Sequence, residues 1–501
     1  MNARDILTAL LDPGTFRSWD TAPDGPPPDP GYAATLARAR EKTGSSESVI
    51  TGTGLIGGRQ VAVAASEFGF LGGSMGVAAG ERLTRAIERA TAGRLPLICL
   101  PASGGTRMQE GTLAFVQMVK ITAAVTAHQA AHLPYLTYLR HPTTGGVLAS
   151  WASLGHLTIA EPGALIGFLG PRVYQTLHGA PFPDGVQTAE NLHAHGLIDA
   201  LVPPGELAAF TGRVLTALTP APRQPAPAPA AAADRDVADG EAWESVRLTR
   251  RVGRPGAADF IRAAATDVVA LPRAGLILAL ARVGGHPCVL IGQDRRPPGP
   301  GPAGLRLARR AIGLAAGLRL PLVTVIDTPG AELSPQAEQD GLAREIAFCL
   351  ASLVTHPGPT VSVLLGQGTG GAALALLPAD RTVAAEHAWL APLAPEGASA
   401  IVFRDGAHAT NLADQQGIRA TDLAAAGIVD HVVPEATGDA GLCRDLGQAL
   451  HRALAEVVAQ DEPGRLAARA RRFRGLGARP AARSTGVGDH DDDAQEPQHD
   501  Q

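Results

Sequence analysis

Shifted by 225 positions, the sequence lies on itself. Arg85-Ala86-Ile87 falls on Arg310-Ala311-Ile312, and Arg94-Leu95-Pro96-Leu97 on Arg319-Leu320-Pro321-Leu322. Gly105 falls on Gly330, Pro134 on Pro359, Thr144-Gly145-Gly146 on Thr369-Gly370-Gly371, and Ala160-Glu161 on Ala385-Glu386. Six residues out of step, GLIDALV (196–202) is matched by GIVDHVV (427–433). An offset held constant from residue 85 to residue 161 marks two copies of one supersecondary plan. Length alone allows two or three domains in 501 residues, and the repeat selects two.

Each copy alternates apolar strands with amphipathic helices. In the first, TGTGLIGGRQVAVAAS (51–66) reads as a hairpin about Gly57-Gly58. A helix over 77–92, a strand over 95–100, a helix over about 110–130 and a strand over 133–139 come next. In the second, residues 275–292 repeat the Gly-Gly hairpin, 302–318 form a helix, 321–327 a strand, and 361–377 run strand, glycine turn, helix. Strand–helix alternation implies a parallel sheet with crossover helices, an α/β class. The expected divisions are a preamble at 1–45, domains at 46–216 and 242–465, a Pro/Ala linker at 217–241 and a disordered charged tail at 466–501.

Composition excludes several classes. A net charge of −5 and a pI of about 6.3 leave no basic footprint for nucleic acid. The four cysteines, Cys99, Cys288, Cys349 and Cys443, are scattered without metal-ligand spacing and read as small core residues. No uninterrupted apolar run approaches the ~20 residues of a membrane helix, and residues 1–11 lack a basic leader, so a cytoplasmic, soluble protein is expected.

Chemistry concentrates at the glycine turns. PASGGTRMQEG (101–111) succeeds the strand at 95–100 and opens a helix. Such turns let a ligand approach the backbone and can present N–H groups to a developing oxyanion. No Ser-His-Asp elbow and no metal cluster appears. His141, beside a glycine turn, reads as structural. Glu110 reads as a helix cap or orienter, Glu396 as a loop brace and Ser74 as a helix N-cap.

FGFLGGSMG, PASGGTRMQEG, HPTTGG, IAEPGALIGFLGPRV and QTAENLHAHGLID resemble the β subunit of acetyl-CoA carboxylase carboxyltransferase. LPLVTVIDTPGAELSPQAEQDGLAREIA, GQGTGGAALALLPAD, LAPEGASAIVFRD and AAGIVD resemble its α subunit. The chain is thus similar to a fused β/α carboxyltransferase over most of its length. It departs in having no cysteine before Cys99, so the four-cysteine zinc ribbon of bacterial β subunits is missing and no metal is carried over. Gln367 stands where the family usually has Glu.

The resemblance implies two tandem crotonase-like (ClpP/crotonase) domains. It implies a carboxyltransferase taking the carboxyl group from carboxybiotin to acetyl-CoA, giving malonyl-CoA. It places the thioester carbonyl at Gly104 and Gly105 and the biotin carbonyl at Gly370 and Gly371. Gly72, Gly73, Gly145, Gly146, Gly330 and Ala331 are expected around the substrates, and Arg107, on the first turn, reads as a contact for a CoA phosphate or, more readily, as a solvated salt bridge. Decarboxylated biotin can take the α-proton, so no protein base is required. Neither Lys42 nor Lys120 lies in a biotin-attachment setting. No cofactor is therefore covalently bound, and a biotin carboxyl carrier protein and a biotin carboxylase are separate partners. A homodimer or higher oligomer is expected, each site shared between the β-like half of one protomer and the α-like half of another. Alternatives are propionyl-CoA or another acyl-CoA as substrate, a malonyl-thioester decarboxylase of the same fold, or a non-catalytic CoA-binding scaffold.

Overall fold

The computed structural model describes residues 1–22, 29–219, 241–272, 274–296, 299–435 and 438–476. Its core is two sheets of matching topology. In the first, Arg17–Ser18, Val49–Ile56 and Arg59–Ser66 pair antiparallel. Leu97–Leu100, Tyr135–Leu139, Leu157–Ala160 and Ala200–Leu201 then add in parallel. In the second, Ala265–Ala270, Leu276–Val283 and His286–Gln293 are antiparallel, and Leu322–Thr328, Thr360–Thr369, Arg381–Ala385 and His431–Val433 add in parallel. Parallel strands are covered on both faces, which is why Leu97–Leu100 and Leu322–Thr328 are continuous buried runs. The repeat extends to backbone detail: Arg94 and its mate Arg319 both take a left-handed φ, 51° and 52°.

The predicted elements stand within a residue or two. The hairpins turn at Gly57-Gly58 and Gly284-Gly285, and the helices span Val77–Ala92, Gly111–Ala130 and Pro302–Gly317. Two expected divisions are corrected. The preamble belongs to the first domain: helix Ala3–Leu10 buries Ile6, Leu7 and Leu10 in the core, and the Asp12 carboxylate accepts the amides of Gly57 and Gly58. The tail expected from 466 begins instead inside a helix, Glu462–Gly475. Residues 220–240, most of the expected linker, and 477–501 lie outside the described residues.

That last helix has a counterpart, and it explains how the halves stack. On the first half, at the edge where the parallel strands begin, His132 Nδ1 donates to the Gly317 carbonyl at 2.8 Å. Asp199 accepts the Thr158 amide at 2.7 Å and is gripped by Arg310 at 2.6 and 2.7 Å. Both outside partners come from the second half's helix Pro302–Gly317. On the second half the equivalent edge meets helix Glu462–Gly475. Arg465 bonds the Pro357 carbonyl, Arg469 grips Asp380 at 2.7 and 2.8 Å, and Arg472 reaches Asp430, which accepts the Thr382 amide, both at 2.6–2.7 Å. Pro357 stands for His132 and Asp430 for Asp199. One socket is filled by the next half and the other by the C-terminal helix. A single hydrophobic cluster runs through both sheets.

Candidate active site

The opposite edge, where the parallel strands end, carries the glycine turns, as expected for ligand sites on such sheets. Strand Leu97–Leu100 leads into Ser103-Gly104-Gly105. Gly105 takes φ +106°, and its N–H is held by the Ser103 hydroxyl at 3.0 Å. The Gly104 N–H is bound to the Gly72 carbonyl at 2.9 Å. A second turn, Thr144-Gly145-Gly146, is zipped to the first: Ser103 N–H donates to Pro142 and Thr144 N–H to Ser103, at 2.8 and 2.9 Å. The two turns press backbone to backbone. A Cβ on Gly105 would sit 3.3 Å from the Gly146 nitrogen and 3.4 Å from Gly145 Cα. Gly146 lies in the first turn of the short helix Gly145–Leu148, where an N–H has no intrahelical acceptor, and the preceding Thr144 side chain does not cap it. The space over Gly105 that a side chain would fill lies directly against that N–H.

The second half repeats the turns at the same offsets but packs them less closely: a Cβ on Gly330 would meet only the Thr369 side chain, at 3.9 Å. Thr328 Oγ1 holds the Gly330 N–H at 3.2 Å, and Gly330 takes φ +138°. Gly370 repeats the φ of Gly145, +64° against +63°, and opens the short helix Gly370–Leu374, again without a side-chain cap. The counterpart of Gly104-Gly105 is therefore Pro329-Gly330, and that of Gly145-Gly146 is Gly370-Gly371. The two oxyanion positions expected from the sequence, Gly104-Gly105 and Gly370-Gly371, lie on different turns of the repeat. The fold presses Gly105 against Gly145-Gly146 and sets Gly330 beside Thr369, the residue before Gly370. A cleft of about 470 Å³ opens beside Gly330-Ala331, lined by Asp294, Arg296, Glu332 and Gln336 among others.

Other expected residues take different roles. Gly73 is a packing glycine: a Cβ there would fall 2.0 Å from the Ala102 carbonyl. Arg107 does not face a phosphate. It is 1% exposed and its guanidinium is spent inward, on Glu47, the Ser48 hydroxyl, the Ser74 carbonyl, Tyr32 and Glu110. Burial and the Glu110 acceptor push the Tyr32 phenol up to about 12. Ser74 does not cap helix Val77–Ala92; Gly76 is the N-cap, and the Glu110 carboxylate accepts the Val77 amide. His141 is structural, its Nδ1 accepting the Leu165 amide at 3.1 Å. Glu396 pairs with Arg250, whose hydrogen bond lowers the carboxyl pKa, and Arg250 also reaches Gln367. All four cysteines are buried and free. Among the described residues no group of three His, Cys, Asp or Glu could hold a metal ion, and no helix is long and apolar enough to cross a membrane. The sequence reading missed the holding hydroxyls, although Ser103 and Thr328 stand at the same 225-residue offset.

Each half can thus offer backbone N–H groups to an oxyanion. Comparisons with known proteins point the same way. The family model of the carboxyl transferase domain matches residues 3–437. A probable biotin-dependent acyl-coenzyme A carboxylase beta3 subunit of Mycobacterium tuberculosis is 58% identical, over 94% of this chain and 97% of its own. The acetyl-coenzyme A carboxylase carboxyl transferase subunits beta/alpha of Salinispora arenicola are 39% identical, over 87% and 82%. In fold, the chain is similar to the transcarboxylase 12S structure, with a TM-score of 0.74 at 21% identity over 97% of this chain and 92% of that one. With the fold, the duplicated turns and these relatives agreeing, the chain belongs to the carboxyl transferase family of biotin-dependent enzymes.

Proposed function

We propose that the protein moves a carboxyl group from carboxybiotin, presented on a separate carrier protein, to the α-carbon of an acyl-CoA. Acetyl-CoA is the substrate named by the motif resemblance. The relative at 58% identity carries the broader description acyl-coenzyme A, so propionyl-CoA or a longer acyl-CoA is the alternative.

The observation that carries the reading is the duplicated turn pair. Carboxyl transfer needs charge stabilised on two oxygens, an enolate and a ureido oxygen, and preorganised N–H donors are the economical way to do it. In this reading the room over Gly146 that Gly105 leaves takes the thioester, and the turn at Gly330 with the uncapped helix start at Gly370-Gly371 serves the ureido group. Biotin, when bound, supplies the mobile carboxyl group. The chain's own part is to orient both carbonyls and exclude water. The carrier, a biotin carboxylase and a second copy of this chain complete the working assembly in this reading.

The test is transfer from carboxylated biotin carrier to a panel of acetyl-, propionyl- and longer acyl-CoAs. Carrier-dependent carboxylation of at least one is expected, and its best kcat/KM names the substrate. Release of CO₂ from malonyl-CoA without any biotin acceptor would instead favour a decarboxylase.

A further inference from the structure

We propose that Asp327 is a positioning residue for the second-half turn pair, its carboxylate pinning the strand bulge that aims Gly370 and Gly371 at their substrate. The identity of that substrate rests on the transfer reading above; the pinning rests on geometry alone.

Asp327 is fully buried one residue before Thr328, which holds Gly330. Strands Leu322–Thr328 and Thr360–Thr369 run in register through Ile326 and Leu364, then slip, so that Thr328 next faces Gly368. The slip places extra residues on the strand that ends in Gly370-Gly371, and a bulge of this kind re-aims the residues beyond it. Asp327 sits at the slip. Its Oδ1 accepts the Gln367 amide at 3.1 Å, and a Cβ on Gly366 would approach that oxygen to 2.6 Å. Its Oδ2 takes Arg295 Nε at 2.9 Å, and Arg295 also bonds the carbonyls of Thr249 and Pro255. One carboxylate therefore joins the two strand ends that carry the two turns. The 225-residue counterpart of Asp327 is Ala102. In the first half the corresponding strand breaks at Leu139 and resumes at Thr143, so no such tie is needed.

The groups facing the carboxylate are Arg295, from the loop after His286–Gln293, and Arg254, from the loop before Ala257–Ala264, with Glu435 paired behind Arg254. Burial outweighs both arginines and raises the Asp327 pKa to about 6. An acid raised in the folded state contributes stability that is full below its unfolded pKa and lost as pH rises through the folded one. Pinning needs the ionised form to hold Arg295. As pH falls through 6, transfer therefore declines while this group's effect on stability grows, opposite directions that a merely structural residue does not give.

The experiment compares wild type and Asp327→Asn across pH 5–8. For the variant, transfer falls by roughly 10²-fold, the scale of a misplaced reacting group, while KM for acyl-CoA stays within about twofold. The acid limb near pH 6 disappears. Amide exchange of segment 365–371, which needs no substrate, accelerates in the variant. Wild-type kcat with an unchanged acid limb and unchanged exchange overturns the proposal. Should Asp327→Asn fail to fold, Arg295→Gln leaves the carboxylate in place without its cation. Transfer then falls and exchange of segment 365–371 accelerates, and wild-type transfer with unchanged exchange overturns the proposal equally. A wild type inactive towards every acyl-CoA sinks the transfer reading alone, and the exchange measurement still decides the pinning.

Discussion

At the scale of single residues, neighbouring glycines have unequal jobs. Gly105 must take φ +106° and keep clear the approach to Gly146, whereas a Cβ on Gly104 would meet nothing nearer than 3.7 Å and its N–H is already bonded. Gly105→Ala should lower kcat by about 10²–10³, the loss typical of a disabled oxyanion donor, while Gly104→Ala stays near wild type. Steady-state rates of the two variants check this, and equal damage would move the thioester site to Gly104. The alignment of Gly105 with Gly330 was legible in the sequence. The partnership of Gly105 with Gly145-Gly146 was not, because it joins segments forty residues apart that only strand register brings together. Arg107 was legible only in part for a similar reason: a salt bridge was expected, but a solvated one. An arginine beside a glycine turn suits a phosphate or a buried carboxylate equally well, and nothing local announces Glu47, sixty residues earlier.

At the scale of elements, helix Gly111–Ala130 starts directly behind the first turn and carries apolar side chains on its outer face as well as its inner one. Its inner face buries Met118, Ile121 and Val125, yet Leu113, Phe115 and Val119 stand 60%, 61% and 71% exposed on the other. An exposed apolar patch of this kind marks an interaction surface. A second copy of this chain is the cover that the transfer reading calls for, since it brings another half-site to this edge. Replacing Phe115 and Val119 together by Asp should dissociate the assembly and remove activity without unfolding the protomer. Sedimentation and circular dichroism check it, and a variant that stays oligomeric and active places the interface elsewhere. The helix was legible because its apolar run is long and bounded by Gly111. Its neighbour's cap was not, because the capping carboxylate, Glu110, comes from outside helix Val77–Ala92.

At the scale of the molecule, the C-terminal helix belongs to the second domain. Arg465, Arg469 and Arg472 recur at i, i+4 and i+7, a helical stripe that hydropathy scores as a polar tail because its members are charged. Arg469 is 2% exposed, and removing one partner of a buried ion pair costs about 3–5 kcal/mol. A chain stopped after Leu476 should keep its activity and melting temperature. One stopped after Asp461 should melt markedly lower and lose solubility, as differential scanning calorimetry would register. Equal melting of the two would make the helix an ornament.

The paired sockets bear on how the gene is organised. What places the second half on the first is a set of side-chain contacts, Asp199 with Arg310 and His132 with Gly317, together with the shared core. All of these lie outside the stretch of chain at 220–240. The covalent join raises the local concentration of one half near the other, but the recognition is written into surfaces that two separate polypeptides would carry just as well. A single chain and a pair of chains carrying these surfaces would present the same contacts, differing in the local concentration that the join supplies.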